Sequence, residues 1–355
     1  MQDPKIILFA SDNYVGAHPE IAKMITESMQ SVELPYGNDS YSKKANLEFK
    51  KIFQTDCETF FVGTGTSSNI IALKTILKSY ECAICSDISH INGAECGAFE
   101  NFIGAKIFTV KSKNGKMDLN SIKDLFYSFQ NTHYNKPKAI SITQSTELGT
   151  VYTCEEIKKI CDFAHAHNLY VHMDGARIAN AAAYLNKSFK EMTVDTGIDI
   201  LSFGATKNGA LIAESVVVFN KNLLKDFGYI QKQSMQLFSK MRMIPAQFLA
   251  YFNNDLWLKN ALNANNMAKE IENGFQDSKF LKITNKVETN QIFIEMPSAL
   301  KDEIFKHYYF YIYSENFANK TCIIRLITSF STTYNEVQKL ISDFKLADSN
   351  FSLID

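Results

Sequence analysis

The 355-residue chain reads as an α/β protein. A large domain carries a mainly parallel seven-stranded sheet, and a smaller α+β domain follows at the C-terminal end. Three observations predict this. Seven short apolar runs between Thr59 and Phe219 alternate with helical patterns, which is how buried parallel strands and their crossover helices read. From about Ile244 the texture changes to one long helical pattern and then a mixture of strands and helices. The length is also more than one core usually organises, so a second unit is expected. The division is placed at residues 1–250 and 251–355.

Taken in order, an apolar run Ile6–Ala10 precedes Ser11-Asp12-Asn13, and a helical pattern covers Pro19–Met29. Leu34–Ser42 is polar and rich in turn formers and reads as a loop, with a helix over Asn46–Phe53. The strand runs are Thr59–Val62, Cys82–Cys85, Lys106–Val110, Ala139–Thr143, Leu169–Met173, Ile198–Phe203 and Glu214–Phe219. Helical patterns lie between most of them, including one to about Lys78, Leu119–Phe129 and Glu155–His167. The long pattern Ile244–Phe275 is read as one helix with Asp255 and Asn260 on its polar side. After it come a strand at Gln291–Glu295, a helix at Ala299–Phe305, strands at Tyr308–Tyr313 and Thr321–Ile327, and a last helix at Tyr334–Phe344.

Composition limits the function. Hydrophobic residues make up 46% and charged residues 21%, an ordinary globular balance. The net charge of −1 leaves no basic footprint for nucleic acid or an anionic membrane. Ile6–Ala10 is too short for a signal-peptide core or a membrane span. Seven cysteines, an odd number, fit free thiols in a reducing cytoplasm. Cys82 and Cys85 fall on one strand, where residues three apart face opposite sides, and no second pair has zinc-site spacing. No metal site is expected.

The chemistry centres on Leu201-Ser-Phe-Gly-Ala-Thr-Lys207-Asn-Gly209, where a strand gives way to a loop. A lysine at the edge of an apolar pocket loses solvation of its charged form, and its free amine can attack a carbonyl. A solvated loop lysine is the plain alternative. His172-Met-Asp174-Gly-Ala-Arg177 changes the balance, because a Schiff-base lysine with an aspartate for a pyridinium nitrogen is what pyridoxal phosphate chemistry requires. Asp174 ends a strand at the carboxyl edge of the sheet, where open α/β folds bind ligands; a turn-forming Asp-Gly pair is the bland reading. Arg177 could fork onto a substrate carboxylate. Gly63-Thr-Gly-Thr-Ser-Ser-Asn69 is a glycine turn entering a helix, suited to a small phosphate monoester or simply a helix start. It lacks the third glycine of a dinucleotide fingerprint and the Gly-Lys-Ser/Thr ending of a P-loop. His90 either caps a helix or stacks on a cofactor ring. Arg325 is a lone charge in the apolar strand Thr321–Ile327, so it needs a substrate carboxylate or a distant ionic partner.

Together these segments resemble the low-specificity L-threonine aldolases, within the aspartate-aminotransferase-like, fold type I pyridoxal phosphate enzymes. The resemblance rests on Ser11–Asn13, Tyr36–Asp39, Gly63–Asn69, His90 with Glu95, His172–Arg177, Ser202–Gly209, Ser239–Arg242 and Arg325–Phe330, in order along nearly the whole chain. It implies pyridoxal 5′-phosphate as cofactor. Lys207 would be the Schiff-base lysine, Asp174 the partner of the pyridine nitrogen, and His90 the residue stacked on the ring. Gly65 and Thr66 would cradle the phosphate, which Arg242 would reach from a neighbouring subunit. Ser11, Arg177 and Arg325 would hold the substrate carboxylate. A cytoplasmic homotetramer, a dimer of dimers with shared active sites, is implied as well. One departure stands out: many members have Glu-Asn-Thr-His-Asn where this chain has Gln144-Ser-Thr-Glu147-Leu148. The base for the substrate hydroxyl is therefore Glu147, His90 or a phosphate-bound water. The reaction implied is retro-aldol cleavage of L-threonine, L-allo-threonine and related β-hydroxy-α-amino acids to glycine and an aldehyde. An aminotransferase or a β-eliminating lyase using the same cofactor residues is the alternative.

Overall fold

A computed structural model describes residues 7–129 and 131–351. Ile6 of the first apolar run lies outside them. The strands, in chain order, are β1 (Ile7–Leu8), β2 (Glu58–Val62), β3 (Glu81–Ser86), β4 (Lys106–Val110), β5 (Lys136–Thr143), β6 (Tyr170–Gly175), β7 (Ile200–Gly204) and β8 (Glu214–Val218). Then follow β9 (Lys282–Ile283), β10 (Gln291–Pro297), β11 (Tyr308–Tyr309), β12 (Tyr311–Asn316) and β13 (Thr321–Ile327). Strands β2 to β8 form one seven-stranded sheet in the order β2-β8-β7-β6-β5-β3-β4. It is parallel from β7 to β4, and β8 alone runs antiparallel to its neighbours β7 and β2.

Alternate residues of each strand serve opposite faces. Ile84, Ile140, Ile142, Val171, Met173, Leu201, Phe203 and Val217 join one core cluster with the helices Ser40–Phe53, Cys154–Ala166 and Met243–Phe252. Ala83, Cys85, Ala139, Ile200, Val216 and Val218 join another with Gly65–Ile76, so helices cover both faces. The sheet is therefore a rigid two-sided platform whose carboxyl edge carries the loops of interest.

A second, antiparallel sheet, β12-β13-β10-β9, packs its own cluster against the helix Tyr334–Phe351. Phe9 belongs to this cluster, and β1 pairs with β11. The helix Leu256–Gly274 spans both units: Trp257 and Ala261 sit in the large core, Ala268 and Ile271 in the small one. No described helix is long and apolar enough to cross a membrane.

Four local expectations need correction. The polar stretch before Ser42 is already helical from Ser40, because Asp39 caps it: Oδ1 accepts from the Ser42 N–H at 2.7 Å and Oδ2 from the Ser42 hydroxyl at 2.9 Å. The helix after the glycine turn stops at Ile76 rather than near Lys78. The long helix breaks at Asn253–Asp255, where Asn254 and Asp255 take φ of 52° and 53°. Asn260 then faces inward and is buried. Tyr308–Tyr313 is two strands, because its first residues pair with β1 and the rest with β13.

Candidate active site

Lys207 lies in a short 3-10 turn, Thr206–Asn208, at the end of β7. The turn is fastened from below. Asn208 Nδ2 donates to the Tyr251 hydroxyl at 2.8 Å and to the Trp257 carbonyl at 2.9 Å, and Asn260 Nδ2 donates to the Asn208 carbonyl at 2.9 Å. Gly209 closes it with φ of 108°, and a Cβ there would stand 2.6 Å from Asn260 Nδ2, so only glycine fits. Half-buried Lys207 has no hydrogen-bond or salt-bridge partner among the described residues. The charge of Arg177 and then burial pull its ammonium below the ordinary lysine range, against Asp12, Asp174 and Glu214.

Asp174 is buried on β6, beside Ser202 of β7. Its Oδ1 accepts from the Ala176 N–H at 3.0 Å and its Oδ2 from Asn69 Nδ2 at 2.8 Å. Asn69 Nδ2 also donates to Glu95 Oε1 at 2.9 Å, and the His90 ring meets the same oxygen through Nδ1 at 2.8 Å. His90, Glu95, Asn69 and Asp174 thus form one chain. The bond to Glu95 raises His90 above its usual pKa, with burial opposing. His172, two residues before Asp174, is fully buried between the Ser141 and Ser202 hydroxyls, each 2.9 Å away. Burial lowers it to about 4, so it is a neutral core residue.

The helix after the glycine turn begins at Gly65, with Thr64 as its cap and Ser67 completing a capping box. Thr66 sits in the first turn, where backbone N–H groups are available to an anion. Glu147 follows β5. Its Oε1 accepts from the His90 N–H at 2.9 Å and from the Thr143 hydroxyl at 2.8 Å, whereas buried Oε2 has no partner among the described residues. Burial pushes this carboxyl up to about 7.

The two arginines differ. Arg177 already forks onto a buried carboxylate of its own chain: Nε donates to Asp12 Oδ2 at 2.8 Å and a terminal nitrogen to Oδ1 at 3.0 Å. Burial would raise Asp12, but the Arg177 charge and bond outweigh it and hold the carboxyl below the usual range. Arg325 lies beside Phe293 and Tyr311 in strand register, 5.3 Å from the centre of the Tyr311 ring, and its buried Nε has no partner among the described residues. It therefore retains a donor edge for a carboxylate. Ser11 caps the turn Asp12–Tyr14, accepting from the Asn13 N–H at 3.1 Å. In this single chain Arg242 donates through Nε to the Ser28 carbonyl at 2.8 Å.

Sequence reading missed four participants. Asp12, Asn69 and Glu95 sat inside the recognised segments without a role. Glu214, a buried acid heading an apolar strand, carried the same signal as Arg325. The residues present fit pyridoxal phosphate: a free lysine, a carboxyl at the sheet edge, an open helix start, and a cationic donor left over for the substrate.

Comparison with known proteins agrees. Residues 9–299 match the family model of beta-eliminating lyases. A low specificity L-threonine aldolase of Pseudomonas sp. is 39% identical over 307 residues, 85% of this chain and 89% of the relative. One of Pseudomonas aeruginosa is 37% identical over 343 residues, 95% and 97% of the two chains. A solved structure of Leishmania major threonine aldolase superposes with a TM-score of 0.92 at 27% identity, covering 96% of this chain and 99% of that one. The chain belongs to the beta-eliminating lyase family and, within it, to the low-specificity L-threonine aldolases.

Proposed function

We propose that the protein is a pyridoxal-phosphate-dependent lyase that cleaves L-threonine, L-allo-threonine and related β-hydroxy-α-amino acids to glycine and an aldehyde. The carrying observation is Lys207, unpaired and half-buried among Arg177, Asp12, Asp174 and Glu214. Lys207 would hold the cofactor's carbonyl carbon, Asp174 its pyridine nitrogen, His90 its ring face, and Gly65 with Thr66 its phosphate. When bound, the cofactor supplies an acceptor for the electron pair that Cα–Cβ cleavage leaves on Cα.

The chain's own groups do the rest. Arg325 offers Nε to the substrate carboxylate, with Ser11 and Arg177 beside it. That grip selects which bond at Cα is broken, since orientation governs reaction through proximity. Glu147 accepts the β-hydroxyl proton on Oε2, and a carboxyl that titrates near neutrality suits a base at that pH. His90 is poorly suited to that task, because Glu95 favours its protonated form.

Further readings accompany this one. Arg242 reaches the phosphate of a neighbouring subunit in a homotetramer. Exposed Met29, Val32, Leu34, Tyr229 and Met235 support such association. Seven free cysteines support a reducing, cytoplasmic location. We place the boundary between the two domains at residues 250/251, with the segment around Phe9 joining the smaller one.

The test is incubation of purified protein, supplemented with pyridoxal phosphate, with L-threonine. Acetaldehyde and glycine in equal amounts are expected. Ammonia with 2-oxobutanoate, or amino transfer to an added oxo acid, would overturn the reading in favour of the eliminating or transferring alternative.

A further inference from the structure

Glu214 opens β8, directly between Val62 of β2 and Gly204 of β7. These neighbours lead into the two turns of the site, the glycine turn and the lysine turn. The carboxyl occupies space that Gly204 leaves free, and it lies in van der Waals range of Gly65. A Cβ on Gly204 would come within 2.7 Å of Glu214 Oε2, and one on Gly65 within 3.8 Å. Glu214 is buried, and Thr206 of the lysine turn lies beside it. An acid thus lies against the helix start whose N–H groups are built to receive an anion.

Two negative groups so close in a low-dielectric site repel strongly, so a carboxylate here works against a phosphate. A protonated carboxyl does the opposite, because its O–H becomes a donor to a phosphate oxygen. We propose that Glu214 is a phosphate-binding residue that works in its protonated form, so that a phosphate ester binding at the Gly65 helix start takes up one proton there. The proton comes from solvent and ends on the carboxyl; no other bond changes. The inference rests on the cofactor reading above.

The surroundings agree. The titratable groups that act on Glu214 are Lys207 from the lysine turn, Asp174 from β6 and the Tyr251 phenol from the helix Met243–Phe252. The first turn of Gly65–Ile76 contributes Gly65, Thr66 and Ser67, all uncharged. Burial raises the carboxyl to about 7, with Thr206 and then the Lys207 charge holding it from going higher. An anion arriving beside it at neutral pH therefore tips it to the acid form.

Linkage sets the size of the effect. A group that half-titrates near pH 7 and must be protonated for binding weakens the ligand about tenfold between pH 6 and pH 8. Cofactor-free protein would be titrated calorimetrically with pyridoxal phosphate at pH 8, in two buffers of different ionisation enthalpy. At that pH the ligand phosphate is already dianionic. Wild type should take up about one proton more than Glu214→Gln. The variant should bind about as tightly as wild type at pH 6 and lack the tenfold loss by pH 8. With pyridoxal, which has no phosphate, the two chains should agree. Equal proton counts with pyridoxal phosphate, or a Glu214→Gln affinity weakened equally at every pH, would overturn the inference. Failure of wild type to bind pyridoxal phosphate would instead overturn the cofactor reading, and this inference with it. Should Glu214→Gln not fold, wild type decides alone: equal proton uptake with pyridoxal and pyridoxal phosphate rejects the role.

Discussion

Replacing Glu147 by glutamine should make the protein more stable and much less active, and the opposition is the informative part. The amide oxygen can still accept from the His90 N–H and the Thr143 hydroxyl, as Glu147 Oε1 does at 2.9 and 2.8 Å. What disappears is a charge in a buried place. Burial raises the carboxyl from 4.5 to about 7, and at about 1.4 kcal/mol per unit this amounts to about 3 kcal/mol. The folded-state value is the raised one. The fold therefore has its full stability below the unfolded value near 4.5 and loses it as pH rises through about 7. At pH 8 the variant should recover most of that loss, whereas at pH 5 the gain should shrink to under about 1 kcal/mol. With an unfolding entropy of about 2.1 cal/mol/K per residue over 355 residues, Tm at pH 8 should rise by about 3–4 °C. Threonine cleavage should fall about 10²- to 10⁴-fold, the usual contribution of a positioned base. Glycine α-proton exchange should persist. Wild-type kcat/KM should rise with pH to a plateau, half-reached near 7, and the variant should lack that limb. Melting curves at the two pH values and acetaldehyde release assays measure both arms. A Glu147→Gln protein that cleaves threonine within about threefold of wild type refutes the base assignment, particularly if His90→Asn gives the selective loss instead.

Five other substitutions test the remaining roles. Lys207→Ala should abolish turnover and leave the melting curve of cofactor-free protein nearly unchanged; borohydride labelling of wild type followed by peptide mapping should find the cofactor at Lys207 and at no other lysine. Asp174→Asn should retain cofactor by absorbance yet slow cleavage by several orders of magnitude, and a loss below threefold (under about 1 kcal/mol of barrier) would make the residue structural. Arg325→Lys should raise KM for amino acids, because an ammonium cannot reproduce the guanidinium fork, whereas Arg242→Lys should weaken cofactor retention; exchanged phenotypes in dialysis and steady-state assays would reject both assignments. Asp12→Asn strands part-buried Arg177 and should cost about 3–5 kcal/mol, seen as a Tm lower by about 4–7 °C at pH 7. Because Asp12 is held below its ordinary range, wild type has this stabilisation above about pH 4 and loses it on further acidification.

Local chemistry was legible from residues alone, and long-range pairing was not. The alternation of buried runs announced the seven strands of the sheet, since each run has one face for each helical layer. Lys207 and Asp174 announced themselves by residue type at the ends of strands. The Asp39 cap was also written locally, in a polar stretch that read as loop. The reversal of β8 was not read, although nine residues between Gly204 and Glu214 are too few for a parallel crossover. Tertiary structure decided what each charge faces. Arg177 and Asp12 are 165 positions apart and Asn69 and Asp174 are 105, and no periodicity encodes such encounters. The same holds for the inward turn of Asn260, which follows from a break at Asn253–Asp255, and for Glu214, whose place depends on a glycine of the neighbouring strand, Gly204. Sequence patterns report how a side chain relates to its own helix or strand. Burial and electrostatics depend on everything else that is brought beside it, and only the packed fold specifies that.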